Sequence, residues 1–327
     1  MAGKSNVERL AHSRHARMTA RRSTRSSLRI VLILVAALAI VAGGVAVGRQ
    51  LSIGSPSVAR SATAVAKPTP VQLTAPSPVP PPDAPTGNAS DQFAAAFEAF
   101  AGELNAEVGI VVRPAGAEAE SVTAGEWSIG PAWSTIKVPL AIAGLRTTDP
   151  PTVTEEMRAA ITQSDNAAAE SIWQSLGDPV TAAQKVQDVL AETGDATVVE
   201  SQKVRPEFTA FGQTRWSLTD QATFLSSAVC DARDEPILSL MSQVEPSQSW
   251  GLGAIPGARY KGGWGPSEAG AYLVRQMGII PLQGGSAVVA VAAEPDSGSL
   301  DDGTMVLTRI AEWLNQHVEL LPAGNCP

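Results

Sequence analysis

Gly130-Pro131-Ala132-Trp133-Ser134-Thr135-Ile136-Lys137-Val138-Pro139-Leu140-Ala141-Ile142 places a hydroxyl and an amine three residues apart at the head of an apolar run. Helical spacing predicts that Ser134 and Lys137 share one face near the start of a helix. Read plainly, Ser134 is an N-cap and Lys137 a surface residue. Lysine fits that reading poorly, because the first turn of a helix is its positive end and repels an ammonium. The same repulsion favours the neutral amine, and a neutral amine beside a serine hydroxyl makes an activated nucleophile. Ser-x-x-Lys alone is a short motif that arises by chance.

Working outward, Ser164-Asp165-Asn166 stands thirty residues after Ser134, between two stretches of helical periodicity, where it also suits a helix cap. Further on, a glycine-rich turn at 250–257 leads into Ala258-Arg259-Tyr260-Lys261-Gly262-Gly263-Trp264-Gly265. Glycines inside a strand predict close approach by another backbone or a ligand. Phe93, Phe97 and Phe100 predict a helix, residues 108–112 a buried strand, 120–122 a second short strand, and 272–280 with 286–293 two more. The helix headed by Ser134 is expected to reach residue 145, with others at 182–192, from the Ser217 cap to 229, at 237–243, and at 305–318.

The 327 residues carry a net charge of −8, unevenly placed. Residues 1–29 hold eight Lys or Arg against Glu8, a net of +7, which leaves −15 for the remainder. So acidic a body is no general nucleic-acid binder. Only His317 lies in the body, so a zinc site built on several histidines is excluded and a Ser-His-Asp triad would need that one residue, which reads as a helix-end histidine. No metal or cofactor is expected. Cys230 and Cys326 allow either a disulfide pinning the C-terminus or two free thiols.

Residues 30–48 form an uncharged apolar run between Arg29 and Arg49, long enough to cross a bilayer core of roughly 30 Å. The basic flank predicts a single-pass cell-membrane anchor, with residues 1–29 in the cytoplasm and the rest outside. A cleaved signal peptide is the rival reading. Residues 49–90 are Pro- and Ala-rich and predict an extended spacer, able at about 3 Å per residue to hold a domain on the order of 100 Å from the membrane. The folded domain is expected over 91–327.

Ser134-x-x-Lys137, Ser164-Asp165-Asn166 and Lys261-Gly262-Gly263, in this order, resemble the signatures S-x-x-K, S-D-N and K-T-G of the serine β-lactamase and penicillin-binding protein superfamily, class A β-lactamases above all. The surroundings of the second motif, 160–169, look like the same family, and the resemblance covers about residues 91–320. It implies an α/β (α+β) sandwich, with a five-stranded antiparallel sheet, flanking helices and a helical lobe carrying Ser134 and Ser164. It implies that Ser134 forms an acyl-enzyme with Lys137 as base, and that Ser164, aided by Lys261, relays a proton to the departing nitrogen. It further implies that Asn166 holds the substrate's amide, that Lys261 attracts its carboxylate with Gly262 and Gly263 beside it, and that the Ser134 and Trp264 N–H groups form the oxyanion hole. The implied substrates are β-lactams and the D-Ala-D-Ala ends of peptidoglycan stem peptides.

Three departures stand out. The third strand position is Gly263, so the hydroxyl that helps hold the carboxylate is missing. The interval between Ser134 and Ser164 is shorter than in class A enzymes, so the helices bordering the cleft are cut down. Glu200 lies thirty-six residues after Ser164, near the family's water-activating glutamate, but Val204 stands where its partner asparagine belongs. Glu200 is otherwise a solvated loop residue. These departures leave open a catalytically inactive domain that binds cell-wall peptides or partner proteins.

Overall fold

The computed structural model describes residues 88–116 and 120–327. The expected membrane span at 30–48 and nearly all of the spacer lie outside the described residues, among which no helix is long and apolar enough to cross a membrane.

Helix α1 (Ala89–Ala101) begins just before Asp91, because the Asn88 side chain accepts from Asp91 N and caps it. Strands β1 (Ala106–Pro114) and β2 (Val122–Gly125) follow, and β2 starts where the sequence suggested a strand's end. A short β3 (Ile129–Pro131) precedes a 3₁₀ turn, Trp133–Ile136, that runs directly into α2 (Lys137–Leu145). Ser134 and Lys137 therefore do not share one α-helix: the serine sits in the tighter turn and the lysine opens the helix. Helices α3 (Glu155–Thr162), α4 (Asn166–Leu176) and α5 (Pro179–Ala191) pack on α2 to form the helical lobe.

After β4 (Arg215–Ser217), Ser217 caps α6 (Leu218–Ala228), and the single-turn α7 (Glu235–Leu238) follows. Strands β5 (Arg259–Pro266), β6 (Tyr272–Leu282) and β7 (Gly285–Pro295) lead to α8 (Leu300–Gln316). That last helix starts five residues before its apolar pattern begins, because Ser299 caps it and Asp301 and Asp302 favour its positive end.

The sheet is fully antiparallel, in the order β2-β1-β7-β6-β5. Its strands alternate between two cores, as a two-residue period requires. Val111, Val288, Ala290 and Ala292 face the helical lobe, while Ile110, Val112, Val289 and Val291 face α1 and α8. On the second side Phe93 and Phe97 meet Trp313 edge-on. Cys230 and Cys326 form a disulfide that ties the C-terminus to the end of α6. His317 ends α8, its Nδ1 2.9 Å from Trp313 O.

Candidate active site

Three segments deliver the site. Strand β3 hands the chain to the Ser134 turn through Trp133, which is held at φ +48, a left-handed conformation rare for a bulky residue. Its indole packs edge-to-face on Phe208 with centroids 5.0 Å apart. Between α3 and α4 the chain bends at Ser164, φ +58, the second non-glycine residue of the site in that region. Such conformations cost about 1–3 kcal/mol and persist where surrounding packing imposes them. The third segment is β5, which carries Lys261.

Asp165 accepts from Ala168 N and caps α4, so the helix-cap reading of this tripeptide applies to its middle residue. Its neighbours, Ser164 and Asn166, engage the lysines. Lys137 Nζ donates to Ser164 O at 2.5 Å and to Asn166 Oδ1 at 2.7 Å, and lies 3.4 Å from Ser164 Oγ. Lys261 Nζ donates to Ser164 Oγ at 2.8 Å and to Gly262 O at 2.8 Å. Two amines thus converge on one hydroxyl, and both lysines are buried with no carboxylate bonded to them among the described residues. Burial pushes the Lys137 amine down to about 7, against the smaller opposing pull of Asp165. Lys261 is pushed well below its ordinary value by burial and then by the nearby Lys137 charge.

Ser134, Lys137, Asn166 and Trp264 line one cleft of about 400 Å³, whose walls include Trp133, Phe208 and Tyr272. The Lys137 amine is engaged with Ser164 and Asn166 rather than with the Ser134 hydroxyl. Strand β5 backs the serine turn closely. A Cβ at Gly263 would lie 2.8 Å from Ser134 N and 3.0 Å from Ala132 O, contacts that only glycine avoids. This corrects the reading of the third strand position. The hydroxyl of K-T-G stands second, so the residue that lacks it is Gly262. There a Cβ would meet Trp250 Cη2 at 2.9 Å, so the indole occupies the space a threonine would need.

Glu200 is not among the cleft-lining residues. Its carboxylate accepts from Gln202 N at 2.8 Å, and it lines a neighbouring cavity of about 440 Å³ together with Val204, Arg205 and Arg215. Trp133, Gly265 and Pro266 line both cavities and form the partition between them. Arg205 fixes the segment beyond, donating to Pro266 O at 2.5 Å and lying 4.4 Å over the Phe208 ring.

Sequence reading passed over two features. Glu170 lines the cleft with Ser134, and its spacing of four residues from Asn166, one turn along the same helix face, was the available signal. Behind the serine turn, fully buried Arg275 donates to Gly130 O, Pro131 O and Trp216 O at 3.2, 3.1 and 3.1 Å. Nothing local marks Arg275, which sits in an apolar strand. Among the described residues no cluster of His, Cys, Asp and Glu could hold a metal ion.

No family model and no curated protein matches the chain. Solved structures do. The TLA-3 extended-spectrum β-lactamase superposes with a TM-score of 0.58 at 16% identity, over 70% of this chain and 99% of that one. A class A β-lactamase from Bacteroides cellulosilyticus DSM 14838 gives 0.59 at 13% identity, over 71% and 99%. A β-lactamase from Streptosporangium roseum gives 0.53 at 16% identity, over 72% and 100%. At these identities the likeness speaks for architecture, and the described part of the chain has the fold of the class A β-lactamases.

Proposed function

We propose that this protein is a serine acyl-transfer hydrolase acting on β-lactams or on D-Ala-D-Ala peptides outside the membrane. The observation that carries the reading is the bonded set Lys137–Ser164–Lys261, drawn from three distant segments, of which Lys137 lines the cleft that holds Ser134 while Ser164 and Lys261 stand behind it. In the reaction, the neutral Lys137 amine takes the Ser134 proton as Oγ attacks the substrate carbonyl, forming the acyl-enzyme. The Ser134 and Trp264 N–H groups, on facing segments, receive the developing oxyanion. Ser164 Oγ passes a proton to the departing nitrogen and is resupplied through the lysines bonded to it. Asn166 holds the substrate amide, and Lys261 draws its carboxylate. The disulfide supports a location on the oxidising side of a membrane, with residues 30–48 as anchor.

The test is incubation of the folded chain with a fluorescent penicillin. The expected result is covalent label mapped to Ser134 and abolished in Ser134→Ala; a folded chain that takes no label refutes the reading. Location is checked by protease shaving of intact cells, which removes the domain if it lies outside.

A second reading, a silent domain whose cleft only binds wall peptides or partner proteins, is favoured by Gly262 and by the seat of the Glu200 carboxylate outside the cleft. It requires Ser134→Ala to leave the cellular phenotype unchanged.

A further inference from the structure

Acyl transfer to water needs a base, and besides Lys137 the cleft offers a carboxylate for it. Two acidic residues, Glu170 and Glu207, line the cleft with Ser134 and Lys137. Glu207 is 57% exposed and is held by Arg205 at 3.1 Å. Glu170 is less exposed, at 27%, and stands on α4 one turn beyond Asn166, whose Oδ1 accepts from Lys137 at 2.7 Å. Residues four apart on a helix present their side chains to the same side. Lys203, which also lines the cleft, has its Nζ 3.6 Å from Glu170 Oε1 and holds that carboxylate in an ion pair. Glu200, by contrast, is turned to its own loop and to the other side of the Trp133 partition.

We infer that Glu170 is the base that activates water to release the acyl group from Ser134. This rests on the acyl-enzyme reading above. A Glu170 oxygen takes one proton from a water in the cleft, and the water oxygen bonds to the ester carbon. When that tetrahedral centre collapses, the bond from carbon to Ser134 Oγ breaks, Oγ recovers the proton by way of Glu170 or Lys137, and the acid product leaves. Water is the only co-reactant. Lys203 positions the carboxylate without touching the reacting atoms.

The experiment follows a fluorescent penicillin on the full chain, timing both the appearance and the loss of label. For Glu170→Gln the expected result is label appearing at the parent rate but persisting at least about tenfold longer, the scale of lost base catalysis. Lys203→Met, which keeps the carboxylate and removes the clasp, is expected to prolong the label less. The assignment is overturned if Glu170→Gln sheds label as fast as the parent, if Glu200→Gln rather than Glu170→Gln prolongs it, or if Lys203→Met matches Glu170→Gln and so makes the pair a mere clasp. A parent that never sheds its label overturns the assignment and leaves acylation standing. Absence of label on the folded parent removes both.

Discussion

Arg275 Nη2 donates to Gln221 Oε1 at 3.0 Å in a fully buried site, and that bond begins a chain leading to the nucleophile's turn. Gln221 Nε2 donates to Thr135 Oγ1 at 2.9 Å, and Thr135 Oγ1 donates to Ala132 O at 2.6 Å. Arg275 lies opposite Gly263 in the β5–β6 ladder, so one strand position backs the serine turn directly and its partner braces it from behind. Replacing Arg275 by Lys gives up the fixed fork of guanidinium donors, and each buried hydrogen bond lost costs about 0.5–1.5 kcal/mol. Thermal melts of Arg275→Lys should show a marked drop, and of Gln221→Ala a smaller one. Both variants should label more slowly at a temperature where they remain folded, because the turn is no longer held.

The Lys137 amine sets a pH profile. Below about 7 it is protonated and unable to accept the Ser134 proton, and above that it is free to do so. The label-forming rate is expected to rise with pH through about 7 and then level. Asp165→Asn preserves a capping side chain while removing the charge that opposes the shift, so its profile should move to lower pH. A profile unmoved by that substitution would mean that another group titrates. Because the folded-state value is depressed from 10.5, the unfolded chain binds more protons between about 7 and 10, and the stability owed to Lys137 rises with pH across that window.

Ser164→Ala removes the one hydroxyl to which Lys261 is bonded and near which Lys137 lies. Proton relay by a positioned side chain is worth about 10²–10⁴ in rate, so labelling should fall by roughly a hundredfold or more. Stopped-flow measurement on a correctly folded variant decides it, and a fall of less than about threefold would take Ser164 out of the relay.

Gly263→Ala drives a Cβ into the backbone of the Ser134 turn. Overpacking of this kind costs about 1–3 kcal/mol, and it should abolish labelling even where the variant folds. Gly262→Ala brings a Cβ against side-chain atoms, Trp250 Cη2 at 2.9 Å, rather than against the backbone of the serine turn, and is expected to fold with labelling retained.

The disulfide closes a separation of 96 residues, and chain entropy assigns a loop of that size about 4–5 kcal/mol. The double substitution Cys230→Ser with Cys326→Ser should lower the Tm by roughly 10 °C. Labelling at low temperature should persist, since the bond sits at the end of α6, outside the residues that line the cleft.

Much was legible in the residue order, because the signals are short-ranged. The Ser217 cap and the two-residue alternation of the central strands each report contacts within one turn or one strand, whereas the step from Ser134 to Lys137 crosses from a 3₁₀ turn into a helix and left the lysine's partners undetermined. From such signals the sequence alone determined which residue types the chain offers to acyl chemistry, the absence of a histidine set, and the approximate positions of the five sheet strands and of most helices. Packing between distant segments was left to the tertiary structure. It joined Lys261 to Ser164 across 97 residues, paired Cys230 with Cys326, seated Arg275 behind the serine turn, and put Glu200 in one cavity and Glu170 in the other. The physical reason is that a side chain's reach along the sequence ends after a few residues, whereas its chemistry is set by whichever neighbours the closed core forces against it.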